Sequence, residues 1–435
     1  MNSISLRLLA TAALGLNLAA CQSSDKKETA TADAPQATIM PAGLKPGPWH
    51  GFLMAQQRAT PFRLDVAVEN GQPVVYLVNK GLNGDERLRC EDIKTVGDST
   101  TIRLHAFDAA LVVRADGDNK IKGTWVKYDS KTPYRIPLVA MAGANTPQPP
   151  MPGDTRNVSG TWRAEFKDET GAKYPAVGVF KQTGNQVVGT FLTTTGDYRY
   201  LAGNLVNQDP NVDMVLSTFD GSHGFLFDGK LQGSTKITGN FYSGKSGHET
   251  WTAVKDPTAK LPDADTLTYL KKGESRLNFK FPSVFEGGVV EPTAPKYRGK
   301  VVVVQVLGSW CPNCMDETNF LAPWYEKNKA RGVEVIGLGY ERSPDYKVAA
   351  ARLRNMRERF NIGYELAVAG VSNKDSVAKS MPQLAKFLAF PTTIFLDKKG
   401  NVRKIHTGFA GPGTGKYYEE EIAGFNRTVD KLLKE

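Results

Sequence analysis

Seven residues, Val301-Val302-Val303-Val304-Gln305-Val306-Leu307, leave the backbone around them little choice. A nearly unbroken β-branched run offers no polar face to water, so it reads as a strand buried on both sides and sandwiched between helical layers. It runs directly into Gly308-Ser309-Trp310-Cys311-Pro312-Asn313-Cys314 and then a helical stretch to about Arg331. Val333–Gly339 reads as a second buried strand. Tyr346–Phe360 and Pro382–Phe387 read as helical, Thr392–Asp397 and Arg403–Thr407 as a strand pair turning at Lys399-Gly400, and Tyr417–Leu433 as a closing amphipathic helix. Strands alternating with helices predict an α/β domain over 274–435.

The CxxC at that strand-to-helix junction carries the chemistry. A thiolate is the attacking species in disulfide exchange, and a helix N-terminus stabilises one through unpaired N–H groups and partial positive charge. Cys311 is therefore the expected nucleophile, leading with the more exposed sulfur. Cys314, one turn inside, is the expected resolving thiol. Pro312 fits the first helical turn, where its missing N–H costs little. A zinc site asks for about four ligands, and there is no second CxxC or nearby His. A c-type haem site needs His where Met315 stands. Copper delivery by related folds uses a wider Cys spacing and a distal His; His406 has no clear role here. A structural disulfide is the main alternative, and Trp310 with the strand–helix context argues for redox use. No metal or cofactor is called for.

Glu317 lies one turn beyond Cys314. It reads as a partly buried acid with a raised pKa, suited to proton transfer, and as the one nearby acid. The alternative is an idle carboxylate in an early helical turn.

The remaining chain is ordinary in composition: 40% hydrophobic and 23% charged, with a formal charge of +10 spread diffusely. At 435 residues it has room for roughly three domains. The densest basic stretch, Lys347 to Arg359, is either a docking surface for acidic partners or anionic lipid, or a solvated helix face. No nucleic-acid motif is present. Four cysteines are too few to staple a small fold together.

At the N-terminus, Arg7 precedes an apolar stretch from Leu8 to Ala20, too short for a transmembrane helix and suited to a signal peptide over 1–20. Leu18-Ala19-Ala20-Cys21 resembles the lipobox of bacterial lipoproteins, which implies lipidation of Cys21 and a membrane anchor facing the periplasm or extracytoplasmic space. Residues 21–44 are small, polar and proline-bearing, the composition of a flexible tether. It would span roughly 25 Å.

Two stretches, 45–144 and 155–256, share a layout. Gly47-Pro48-Trp49 answers Gly160-Thr161-Trp162, an offset of 113; Lys120-Ile121-Lys122-Gly123 answers Lys236-Ile237-Thr238-Gly239, an offset of 116. Alternating Val, Thr, Tyr and Phe between Gly, Asn and Asp turns predicts all-β antiparallel meanders, about eight strands each, closed or nearly so. The Gly-x-Trp openings resemble lipocalin- and avidin-type barrels. Each reads as a scaffold filled by its own side chains, with a small ligand inside as the alternative. Cys90 reads as a small apolar strand residue. Asn145 to Asp154 links the repeats.

The C-terminal order of elements resembles the thioredoxin fold, and more narrowly the TlpA/ResA-type family of extracytoplasmic thiol–disulfide oxidoreductases. The resemblance rests on Trp310-Cys311-x-x-Cys314, Glu317 and Phe390-Pro391-Thr392-Thr393. It implies a cis-proline at Pro391 beside the disulfide, a thiol-tuning role for Glu317, and protein thiols or disulfides as partners. An upstream electron-donor protein and reduction of partners, as in cytochrome c maturation, are further implications. Gln305 departs from cytoplasmic thioredoxins, which carry a buried Asp at that spacing. Peroxiredoxin chemistry is the runner-up, although its Pro-x-x-x-Thr-x-x-Cys loop is missing. The competing class is a binding lipoprotein in which the β repeats carry the function.

Overall fold

Strict alternation organises the first half of the chain. In Gly47–Ala55 the residues Trp49, Gly51 and Leu53 turn inward while Pro48 and Met54 face water, the period-two signature of a strand with one solvated face. A computed structural model of the chain describes residues 40–41, 43–104, 107–129, 132, 134–143, 156–208 and 211–435. Cys21, the signal peptide, most of the tether and the Asn145–Asp154 linker lie outside the described residues.

Among the described residues each repeat has nine strands, not about eight. The extra strand of the first repeat comes from a short pair, Glu86–Cys90 and Ile93–Val96. These two are the free edges of an antiparallel sheet whose ends otherwise meet through Gly47–Ala55 and Tyr134–Ala142. In the second repeat Lys173–Thr183 pairs with both Gly160–Asp168 and Gln186–Thr193, which closes an eight-stranded ring with the two-residue strand Gly196–Asp197 beside it. Its interior is filled by Trp162, Phe166, Phe191, Phe227 and Trp251, all almost fully buried. Cys90 is buried in the first repeat, its thiol 3.6 Å from the Leu88 carbonyl.

The repeats share a core. Phe219, from the second, packs edge-on against Phe62 and Trp125 of the first at 5.4 and 5.0 Å between ring centroids. Trp125 Nε1 donates to the Gly221 carbonyl at 3.2 Å, and Asn79 Nδ2 to the Phe219 carbonyl at 3.1 Å. A buried aromatic anchor with its backbone hydrogen bonds satisfied fixes one barrel on the other.

The C-terminal sheet has the order Glu365–Val371, Val333–Glu341, Val301–Leu307, Thr392–Leu396, Val402–Thr407. The first three strands are parallel and the last two antiparallel. Every residue of Val301–Leu307 is buried. Helix α1 spans Pro312–Asn328, α2 Tyr346–Phe360, α3 Lys374–Ser380 and α4 Lys416–Lys434. Pro382–Phe387 is not helical. The helix lies earlier because the Asn373 side chain caps Ser376 N at 2.6 Å, and Leu384–Lys386 instead pairs with Tyr269–Leu270.

The basic stretch is neither a solvated face nor a free docking surface. Ala349, Ala350, Leu353 and Met356 bury one side of α2. Arg352 pairs with Asp108 of the first repeat at 2.8 Å and Arg359 with Glu91 at 2.5 Å, while Arg354 donates to the Val284 carbonyl at 2.6 Å. Residues far apart in sequence supply the acids, which is why local charge counting misplaced the helix. No helix among the described residues is long and apolar enough to cross a membrane.

Candidate active site

The buried strand delivers its C-terminal end to the N-terminus of α1. There Cys311 is the N-cap, its sulfur accepting from Cys314 N at 3.3 Å, and Pro312 occupies the first turn. Cys314 Sγ lies 2.6 Å from Cys311 Sγ. Cys314 is wholly buried, and burial followed by the Cys311 sulfur pushes its thiol pKa up. Cys311 is the more exposed of the two, yet only 6% exposed. Its sulfur lies 3.8 Å from the Phe390 carbonyl, which belongs to the cis Phe390–Pro391 bond.

Trp310 is clamped from three sides. Its Nε1 donates to the Tyr340 carbonyl at 2.9 Å, its ring meets Phe390 edge-on at 5.7 Å, and the Arg342 guanidinium lies 5.1 Å above it. A Cβ on Gly308 would stand 2.3 Å from Trp310 Nε1, so only glycine admits this ring position.

Glu317 is buried beneath Cys314. Gln305 Nε2 donates to Glu317 Oε2 at 2.8 Å and Thr393 Oγ1 donates to Oε1. Burial outweighs these two donors and raises the carboxyl to about 7. Glu317 is not the one nearby acid. Glu341, at the end of the adjacent strand, accepts from Ser309 N and Oγ at 2.8 and 2.7 Å and holds the turn before Trp310. Asp316, next to Glu317 on α1, is buried on a different side of the helix against the second repeat.

That second repeat forms a wall of the site. Ser222 Oγ donates to the Trp310 carbonyl at 3.2 Å, and Asn313 Nδ2 to the Asp197 carbonyl at 3.2 Å. Arg199 reaches Asp316 at 2.8 Å, ion-pairs with Glu86 of the first repeat, and lies 3.6 Å from Asp220. One guanidinium thus serves several buried acids. Burial raises Asp316 and Glu86 despite Arg199, and raises Asp197 to about 6. Asp220 goes the other way: burial opposes ionisation, but His223 and Arg199 hold it at about 2. Sequence reading missed this group, because its members come from three modules. Adjacent acids at 316 and 317, which must face different sides of one helix, were the available signal.

His406 also has a place. It lies between Asp265 and Glu421, 2.7 and 2.9 Å away. Burial opposes its charge, but these two carboxylates raise it to about 9.

Residues 271–422 match the Redoxin family. The chain is 29% identical over 112 residues to the thiol-disulfide oxidoreductase ResA of Geobacillus kaustophilus (strain HTA426), covering 26% of this chain and 57% of that protein. It is 25% identical over 176 residues to the thiol:disulfide interchange protein DsbE of Tatumella citrea, covering 40% and 85%. The chain therefore spans little more than half the length of the first relative, and its barrels lie outside the Redoxin match. A thioredoxin family thiol:disulfide interchange protein from Chlorobium tepidum TLS aligns with 18% identity and a TM-score of 0.29, over 38% of this chain and 98% of that one. Strand order, the position of the CxxC and the Redoxin match place the C-terminal domain in the TlpA/ResA-type, thioredoxin-like thiol–disulfide oxidoreductase family.

Proposed function

We propose that the protein is an extracytoplasmic thiol–disulfide oxidoreductase, anchored by lipid on Cys21, that reduces disulfides of protein partners through Cys311 and Cys314. The observation that supports it best is the placement of two adjacent sulfurs at the N-terminus of α1 over a buried carboxyl held at about 7. The Cys311 thiolate attacks one sulfur of the partner's disulfide, forming a mixed disulfide and releasing one partner thiolate. Glu317 takes the proton of Cys314, whose sulfur then attacks Cys311 Sγ and releases the second partner thiolate. Both thiolates are protonated from water. The partner gains two electrons, and Cys311–Cys314 becomes a disulfide that a donor dithiol protein must reduce.

Insulin reduction by wild type, Cys311→Ser and Cys314→Ser tests the chemistry; equal turnover by all three would refute it. Detergent-phase partition of wild type against Cys21→Ser tests the anchor, which is wrong if both partition alike.

A further inference from the structure

Glu317 is held by a hydrogen-bond network of its own. Tyr364 Oη donates to Gln305 Oε1 at 3.2 Å, and Gln305 Nε2 donates to Glu317 and to Thr318. Glu317 also lines a cavity of about 300 Å³ bounded by the last two strands, α4, residues 261–267 and residues 192–197 of the second repeat.

Strand register explains what shares that cavity. Gln305 stands opposite Thr393, and Thr393 opposite His406, in successive antiparallel ladders. Directly paired residues project to the same face with Cβ atoms ~5 Å apart. A polar row of Gln, Thr and His therefore crosses three neighbouring strands, and its first two members hold Glu317. The third, His406, sits at the cavity rim with its side chain 19% exposed, held by Asp265 and Glu421. Burying polar side chains in such a row is unfavourable unless they are paired, and here all three are.

We propose that this cavity is the proton-exchange route of Glu317, and that His406, clamped at its mouth by Asp265 and Glu421, is a positioning residue that sets the charge Glu317 faces. The inference rests on Glu317 accepting the Cys314 proton. In each turnover the proton passes from Cys314 sulfur to the Glu317 carboxylate as the mixed disulfide breaks. Glu317 then releases it to water through the cavity and is again a carboxylate.

The charged groups facing the cavity are Lys404 and His406 from the edge strand, Glu420 and Glu421 from α4, Asp197 from the second barrel, and Asp265 across the rim. Cys314 and Tyr364, which do not line the cavity, also feel Glu317: its charge adds to the burial that raises both. Burial dominates the Glu317 titration; within it, Glu421 pushes upward and His406 downward. The two should therefore be separable by substitution.

The test follows the Glu317 carboxyl stretch by infrared difference spectroscopy in the full chain, against Glu317→Gln as the blank. His406→Gln should move the Glu317 titration up by roughly half to one pH unit, and Glu421→Gln should move it down. The pH profile of dithiol alkylation should move in the same directions, and both movements should vanish in the Glu317→Gln background. A titration unmoved in both variants overturns the inference. Circular dichroism checks folding, and Glu421→Gln carries the test alone if His406→Gln does not fold. Insulin turnover is measured alongside. Normal turnover with an unmoved titration sinks the cavity route only, whereas equal turnover by Cys311→Ser sinks the reading beneath it.

Discussion

Arg199 of the second barrel donates to Asp316 of α1 at 2.8 Å, two residues past Cys314. The same guanidinium pairs with Glu86 of the first barrel, so one side chain joins all three modules at α1. A charge network this deep does little for net stability when intact, but removing one partner leaves buried charge uncompensated.

Arg199→Met should therefore destabilise the protein by about 3–5 kcal/mol. It should also speed alkylation of reduced Cys311, because the wall formed by Ser222 and Asp197 loses its ion pair to α1 and keeps only the Asn313 hydrogen bond there. Urea denaturation and timed alkylation check the two effects. An unchanged alkylation rate in a destabilised variant would separate the network from access to the site.

Gly196 should tolerate no side chain. It has φ +136°, and an added Cβ would lie 2.5 Å from Asn313 Nδ2. Gly196→Ala should cost roughly 1–3 kcal/mol in urea unfolding. Pairing it with Asn313→Ala, which removes the clashing amide, should restore part of the loss; no recovery would mean that backbone conformation alone is responsible.

Glu317→Gln should change how stability depends on pH. The folded carboxyl is raised to about 7, above its ordinary value of 4.5, so the native state holds a proton that the unfolded chain releases. Stability is free of this penalty below about pH 4.5, falls as pH rises toward 7, and then levels off. The penalty is at most on the order of 3–4 kcal/mol. Relative to wild type, Glu317→Gln should gain stability in urea at pH 8 compared with pH 4. A pH-independent difference would contradict the burial argument.

Cys314→Ser should trap a mixed disulfide on Cys311 when the reduced protein meets a disulfide substrate, because no resolving thiol remains. Mass spectrometry of the unreduced adduct reads this directly. Accumulation on Cys314→Ser but not on Cys311→Ser is expected, and the reverse pattern would exchange the roles of the two sulfurs.

Much of the site was legible in sequence for local reasons. Val301–Leu307 reads as a buried strand because β-branched residues without a polar face have no other stable place, and a CxxC following it lands on a helix start. The repeat openings at Gly47 and Gly160 likewise announce strands through turn chemistry and alternation. Pro382–Phe387 was misread as helix because a six-residue window cannot resolve helix from strand, and the neighbouring Asn373 cap settled the matter.

The Cys311–Cys314 pair, the acid at Glu317 and the barrel character of both repeats follow from the order of residues alone, since each depends on neighbours within a few positions or on a simple period. The wall over the site, the Arg199 network and the His406 clamp do not. Asp316 and Arg199 are 117 positions apart, and His406 and Asp265 are 141. The adjacent acids at 316 and 317 hint at a second buried partner, but no local pattern names Arg199 or Asp265 as the partner. Burial and charge pairing at such distances arise only when packed modules bring the groups together, and that same packing left Cys311 just 6% exposed at its helix start.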